Sequence, residues 1–96
     1  MKKIAYFLIL AFASLSVLAG SSVTLKWDAS KNVAGYRCYY GVKSGIYTNC
    51  LEVATSTSVT VPDLVKGTTY FFSITAYDKF GIESDYSKEL VCKANK

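Results

Sequence analysis

An all-β sandwich or barrel of short strands is predicted by three observations. Apolar and polar residues alternate at period two through most of the chain beyond residue 22. Clusters of Gly, Asn, Asp, Ser and Pro separate the alternating runs. No run with helical periodicity and ordinary helix length follows residue 19. Strict alternation is the pattern of a strand with one face buried, and turn clusters at such spacing are those of a sandwich or barrel. The alternating residues are rich in Val, Thr, Tyr and Phe, which suit a pleated surface. At 96 residues the chain holds one domain.

The first nineteen residues read differently. Lys2 and Lys3 give a basic start, and Ile4 to Leu18 is apolar apart from Ser14 and Ser16. Val17-Leu18-Ala19 then leads into Gly20-Ser21-Ser22. A basic start, a short apolar run and a small-residue exit make a secretory signal peptide over residues 1–19, cut after Ala19, with the domain at 20–96. Ala11-Phe12-Ala13 also reads as a cleavage site, but leaves only about seven apolar residues ahead of it. An uncleaved anchor is the rival reading, but the run is shorter than the roughly 20 apolar residues of a spanning helix; no stable membrane span is expected after cleavage. The expected location is secreted or periplasmic.

Cleavage at Ala19 leaves 96 less 19, or 77 residues, enough for a thin core. Lys2 and Lys3 leave with the segment, so the formal charge falls from +4 to +2. The remaining charges are interspersed and make no nucleic-acid footprint.

The strands follow in order. Val23, Leu25 and Trp27 alternate with Thr24 and Lys26, and the polar stretch from Asp28 ends at Gly35. Tyr36, Cys38 and Tyr40 take one phase, Arg37 and Tyr39 the other. Lys43-Ser44-Gly45 turns the chain toward Leu51 and Val53. Val59 and Val61 form a short run closed by Pro62-Asp63, and Lys66-Gly67 precedes the longest one. There Tyr70, Phe72, Ile74 and Ala76 point inward, while Phe71, Ser73, Thr75 and Tyr77 point outward. Asp78-Lys79-Phe80-Gly81 closes it, and Leu90 and Cys92 flank Val91 in the last run.

These residues carry a likeness. Val23-Thr24-Leu25-Lys26-Trp27-Asp28 resembles the second strand of a fibronectin type III domain, with its core Trp, and Ala34 to Gly41 resembles the third. Leu64-Val65-Lys66-Gly67-Thr68-Thr69-Tyr70 is similar to the family's Leu-x-Pro-Gly-Thr-x-Tyr corner, with Lys66 in the Pro position. Ala76 to Ser84 resembles the end of the sixth strand and its loop, and Tyr86 to Leu90 fits the last strand. The likeness is closest to bacterial and phage members. It implies an immunoglobulin-like antiparallel sandwich of six to seven strands with a tyrosine corner at Tyr70, and the inward phases put Trp27, Tyr36, Tyr70, Phe72 and Ile74 in the core. It also implies a strand ahead of Val23. Cleavage after Ala19 leaves too little chain for that strand, so Val23, Thr24, Leu25 and Lys26 become an open edge that invites pairing with a partner or a second copy. Cleavage after Ala13 instead keeps Leu15 to Ala19 to close it.

No enzyme is expected. The chain has no His, the usual general base, and no Gly-x-Ser-x-Gly elbow. No cofactor is expected, and no residue spacing resembles a metal site. Asp78, Glu83 and Asp85 fit no standard calcium loop and read as a solvated turn. Cys38, Cys50 and Cys92 are an odd set in an exported chain. Free thiols are expected. Cys38–Cys50 is the bridge to weigh, since one hairpin joins their strands, but their phases disagree. The outward residues Arg37, Tyr39, Phe71 and Tyr77, with Phe80 in the adjoining loop, make the candidate binding surface, because aromatics beside Arg are typical interface anchors. Cross-strand pairing within the sheet is the structural alternative. Two functions stay open: a binding and adhesion module for a protein or glycan, and a structural subunit of an extracellular assembly or phage particle joined through the open edge.

Overall fold

The computed structural model describes residues 15–18 and 21–94. The basic start of the export segment, the Ala11-Phe12-Ala13 site and the Ala19–Gly20 junction lie outside the described residues. Seven strands form two antiparallel sheets: β1 (Leu15–Leu18), β2 (Ser22–Lys26), β3 (Gly35–Gly41), β4 (Asn49–Glu52), β5 (Ser58–Val61), β6 (Thr69–Tyr77) and β7 (Leu90–Lys93). One sheet runs β1-β2-β5, the other β4-β3-β6-β7. No helix occurs among the described residues.

The inward phases meet between the sheets. Val23 and Leu25 of β2 and Val61 of β5 face Tyr36 and Cys38 of β3 and Phe72, Ile74 and Ala76 of β6, and all are buried. Trp27 closes the core just past β2, edge-on to Tyr36 at 5.4 Å between ring centroids. Tyr40, half-buried, stacks on Phe72 at 5.8 Å. The five residues expected in the core are all there. Offset and edge-on ring contacts of this kind add about 0.5–1.5 kcal/mol each beyond the area they bury.

Turn chemistry works as the residue types demand. Gly67 and Gly81 hold φ of 87° and 82°, the left-handed region where a Cβ is strained. The Tyr70 hydroxyl accepts the Val65 N–H at 2.8 Å, which pins the β5–β6 crossing as a tyrosine corner.

The open edge expected of a chain cut after Ala19 does not arise while residues 15–18 are present. β1 pairs with β2, Ser16 opposite Thr24 and Val17 opposite Val23, so with residues 15–18 present Val23, Thr24, Leu25 and Lys26 lie in the middle of a sheet. The alternation of β2 signals only that one face is buried; it carries no sign of whether a neighbour lies on one flank or two. The strand implied ahead of Val23 is built from the end of the apolar run.

Candidate functional site

The outer face of the four-stranded sheet is set by register. Glu52, Arg37 and Thr75 share one row across β4, β3 and β6; Cys50, Tyr39 and Ser73 share the next; Gly41, Phe71 and Val91 a third. Gly35 opposes Tyr77 at the far end. A Cβ on Gly35 would stand 2.6 Å from the Tyr77 ring, so this glycine is what lets the ring lie flat across the sheet.

Beyond Tyr77 the chain returns along β6 without regular strand geometry. Ser84 donates its N–H to the Ala76 carbonyl at 2.7 Å, and its hydroxyl accepts the Ala76 N–H at 2.9 Å. Ser87 repeats the arrangement on Ile74, at 2.9 and 2.8 Å. Two serine hydroxyls thus take the place of strand carbonyls. The segment covers Ser73 and Thr75, which point outward as expected but are 0% and 2% exposed. In the turn before it Lys79, Phe80 and Gly81 are exposed, but Asp78 is not solvated. Asp78 is buried and accepts the N–H groups of Phe80 and Ile82, both at 2.9 Å, which is the local Asx geometry that fixes a tight turn.

Glu83 reaches from this segment over the face. It accepts from Arg37 at 3.2 Å, from Thr75 at 2.6 Å and from the Tyr39 hydroxyl. Arg37 also pairs with Glu52 at 3.1 Å and lies over the Tyr77 ring at 4.3 Å, while Tyr77 donates to Glu52. Arg37, placed by sequence on the binding surface, is therefore held by two carboxylates and a ring. Burial alone would raise the Glu83 pKa. Hydrogen bonds from Thr75 and Tyr39 and the charge of Arg37 outweigh it and hold the carboxyl below its ordinary value. Burial, then Glu83, pushes the Tyr39 hydroxyl well up.

Beside this network lies an open crevice of about 230 Å³, lined by Tyr39, Thr75, Glu83, Ser84, Asp85 and Tyr86. Tyr86 packs edge-on against Tyr39 at 5.2 Å and Tyr47 at 5.1 Å, yet is 56% exposed. Tyr47 donates to Glu89 at 2.5 Å, and Glu89 also accepts from Ser44 and the Gly45 N–H. Of the other expected residues, Phe71 is half-buried beside Val91, and Phe80 stands 75% exposed at the loop tip. Cys50 shares the outer face with Tyr39, whereas Cys38 is buried on the inner one, and all three cysteines are free.

Tyr47, Tyr86 and the carboxylates Glu52 and Glu89 were not singled out from the sequence. Tyr47 and Tyr86 lie in segments without alternation, 39 positions apart, and only the fold brings their rings together. No local signal in the residues around either one marks the contact.

Residues 13–93 match the fibronectin type III domain family. The chain is similar to a Kelch domain-containing protein of Saccharolobus solfataricus, 36% identical over 66 residues, 69% of this chain and 9% of that protein. It is similar to a poly(3-hydroxybutyrate) depolymerase of Ralstonia pickettii, 34% identical over 76 residues, 77% of this chain and 14% of that one. This chain thus spans a small fraction of the curated relatives it matches. Among solved structures it resembles an Fn3-like protein from Clostridium thermocellum, with a TM-score of 0.76 and 28% identity, covering 88% of this chain and 90% of that one. With the two-sheet topology, the Trp27 core anchor and the Tyr70 corner, this match over most of its length shows that the chain belongs to the fibronectin type III domain family.

Proposed function

We propose that the chain is an exported, non-enzymatic binding and adhesion module that holds a protein or glycan against the outer face of its four-stranded sheet. The observation that carries this is the Tyr39–Tyr47–Tyr86 cluster beside the open crevice, with Tyr86 more than half exposed. Tyrosines give large, stiff, amphipathic contact area at low entropic cost, and a ring already held by its neighbours loses little freedom when a ligand covers it. The hydroxyls and carboxylates of the crevice supply the polar contacts that orient a ligand. Within the expected surface, weight shifts from Arg37 and Tyr77, which engage each other and Glu52, and from half-buried Phe71 toward Tyr39 and Tyr86, with Phe80 exposed at the loop tip. Fibronectin type III domains occur in binding and in structural proteins, which agrees with this class of function.

The test is binding of the exported protein to glycan arrays and to cell-surface proteins, compared with Tyr86→Ala and Phe80→Ala. Loss of about tenfold or more in affinity for Tyr86→Ala at an unchanged melting temperature is the expected result. Binding equal in all three proteins would remove this face from consideration. A structural role through a β-edge is the second reading, favoured by the overlap of β1 with the export segment.

A further inference from the structure

Leu15–Leu18 has two incompatible roles. It is β1, hydrogen-bonded neighbour of β2, and it is the last stretch before the small-residue exit of the export segment. Cleavage after Ala13 would spare it, but thirteen residues fall short of the roughly 15–30 of a signal peptide, and nineteen do not. Processing after Ala19 takes β1 away.

The groups this uncovers can be read from the ladder. The Trp27 N–H donates to the Thr57 carbonyl at 3.0 Å, so Trp27 points its backbone groups at the β5 side. In an antiparallel strand this direction alternates residue by residue. Val23 and Leu25 therefore also face β5, while Ser22, Thr24 and Lys26 face β1. The Thr24–Thr60 hydroxyl contact at 2.9 Å agrees, because side chains approach most closely at pairs that share no ladder bond. Without β1, the backbone groups of Ser22, Thr24 and Lys26 lose their partners. The flank of Val23 and Leu25, both fully buried beside β1, loses its cover.

We propose that export strips β1 and that strand Ser22–Lys26 is completed by the same strand of a second copy, antiparallel across a two-fold axis at Thr24. The sequence Ser-Val-Thr-Leu-Lys reads polar, apolar, polar, apolar, polar in both directions. With Thr24 opposite Thr24, Val23 stands opposite Leu25 on the inner face, and the apolar row continues from one copy to the other. Lys26 stands opposite Ser22, so no like charges meet. Ser22, Thr24 and Lys26 are then the residues that bond across the axis, the very ones β1 leaves open. The contact uses the same patch on both copies and closes as a dimer. It lies on the sheet opposite the tyrosine face, so it rests on the export reading alone and not on ligand binding.

The test is made on the exported pool of a bacterium expressing the full chain. Intact mass should place the new terminus at Gly20, and light scattering after size exclusion should give twice the chain mass. Amide exchange should show Thr24 and Lys26 protected. Thr24→Pro removes the central N–H donor and should halve the apparent mass while circular dichroism stays that of a sandwich. Should that variant not fold, the synthetic peptide of residues 15–19 added in excess to wild type should split the dimer. Tyr86→Ala should leave the mass unchanged. A mature terminus at or before Ser14, a monomeric Gly20 chain up to its solubility limit, or a dimer indifferent to both Thr24→Pro and the peptide would each overturn the proposal. So would a complex in which a different protein occupies β2.

Discussion

Glu83 takes one cation and two hydroxyls on a single carboxylate, and its acidity follows from that company. Its folded pKa is depressed, and so is that of Glu52, chiefly through the Tyr77 hydroxyl. A depressed pKa contributes stability that is complete above the unfolded value, about 4.3, and is lost as pH falls through the folded one. Melting temperature should therefore fall below about pH 4.5. Glu83→Gln should start lower at pH 7 but decline less steeply, as thermal melts from pH 7 to pH 3 will show. Parallel curves would mean that Glu83 is not a source of the acid sensitivity. The thiols give a second test at this scale. Burial pushes the Cys38 thiol up to about 12, and its side chain is enclosed, whereas Cys50 is exposed. A thiol reagent at neutral pH should label Cys50 first, half-buried Cys92 more slowly, and Cys38 only on unfolding. Prompt labelling of Cys38 would contradict the strand phase.

Elements here are held at their ends as much as along their length. β5 and β6 lie in different sheets, and the crossing between them is fixed by the Tyr70 hydroxyl on the Val65 N–H. Tyr70→Phe keeps the ring among Tyr40 and Phe72 but leaves that N–H without its acceptor. The cost should be about 1–3 kcal/mol, read from denaturant melts with an unchanged m-value. Ser84 and Ser87 perform a similar service on the other flank of β6, where an irregular segment satisfies a strand edge by side-chain hydroxyls.

The whole molecule depends on a few large side chains. The chain is small, and domains of this size bury a modest share of their surface. Trp27 and Tyr36 close one end of the core together. Trp27→Ala should cost about 3–5 kcal/mol, a large part of a stability that for most domains is only about 5–15 kcal/mol. At roughly 4–8 °C per kcal/mol the variant should show little cooperative melting at 37 °C. A melt within a few degrees of wild type would place Trp27 outside the core. If the two copies join through β2, these values become concentration-dependent, because association adds to the stability of the fold.

The sequence by itself determined the fold class, the inward phases of β2, β3 and β6 and the turns at Gly67 and Gly81. These rest on local rules: period-two burial, and glycine where φ is positive. The tyrosine corner was legible too, since its partners lie five residues apart and the pattern around them is contiguous. Which outward residues are free to bind was decided only by the tertiary structure. Ser73 and Thr75 share the phase of Tyr77, yet a segment about ten residues further on covers them. Arg37 is neutralised by Glu52 and Glu83, fifteen and forty-six positions away. Tyr86 becomes the exposed ring because Tyr39 and Tyr47 support it from two other segments. Alternation reports only which side of a sheet a residue occupies. What lies on that side is set by contacts between distant parts of the chain, and so is the pairing of β2 with a stretch that the sequence assigns to export.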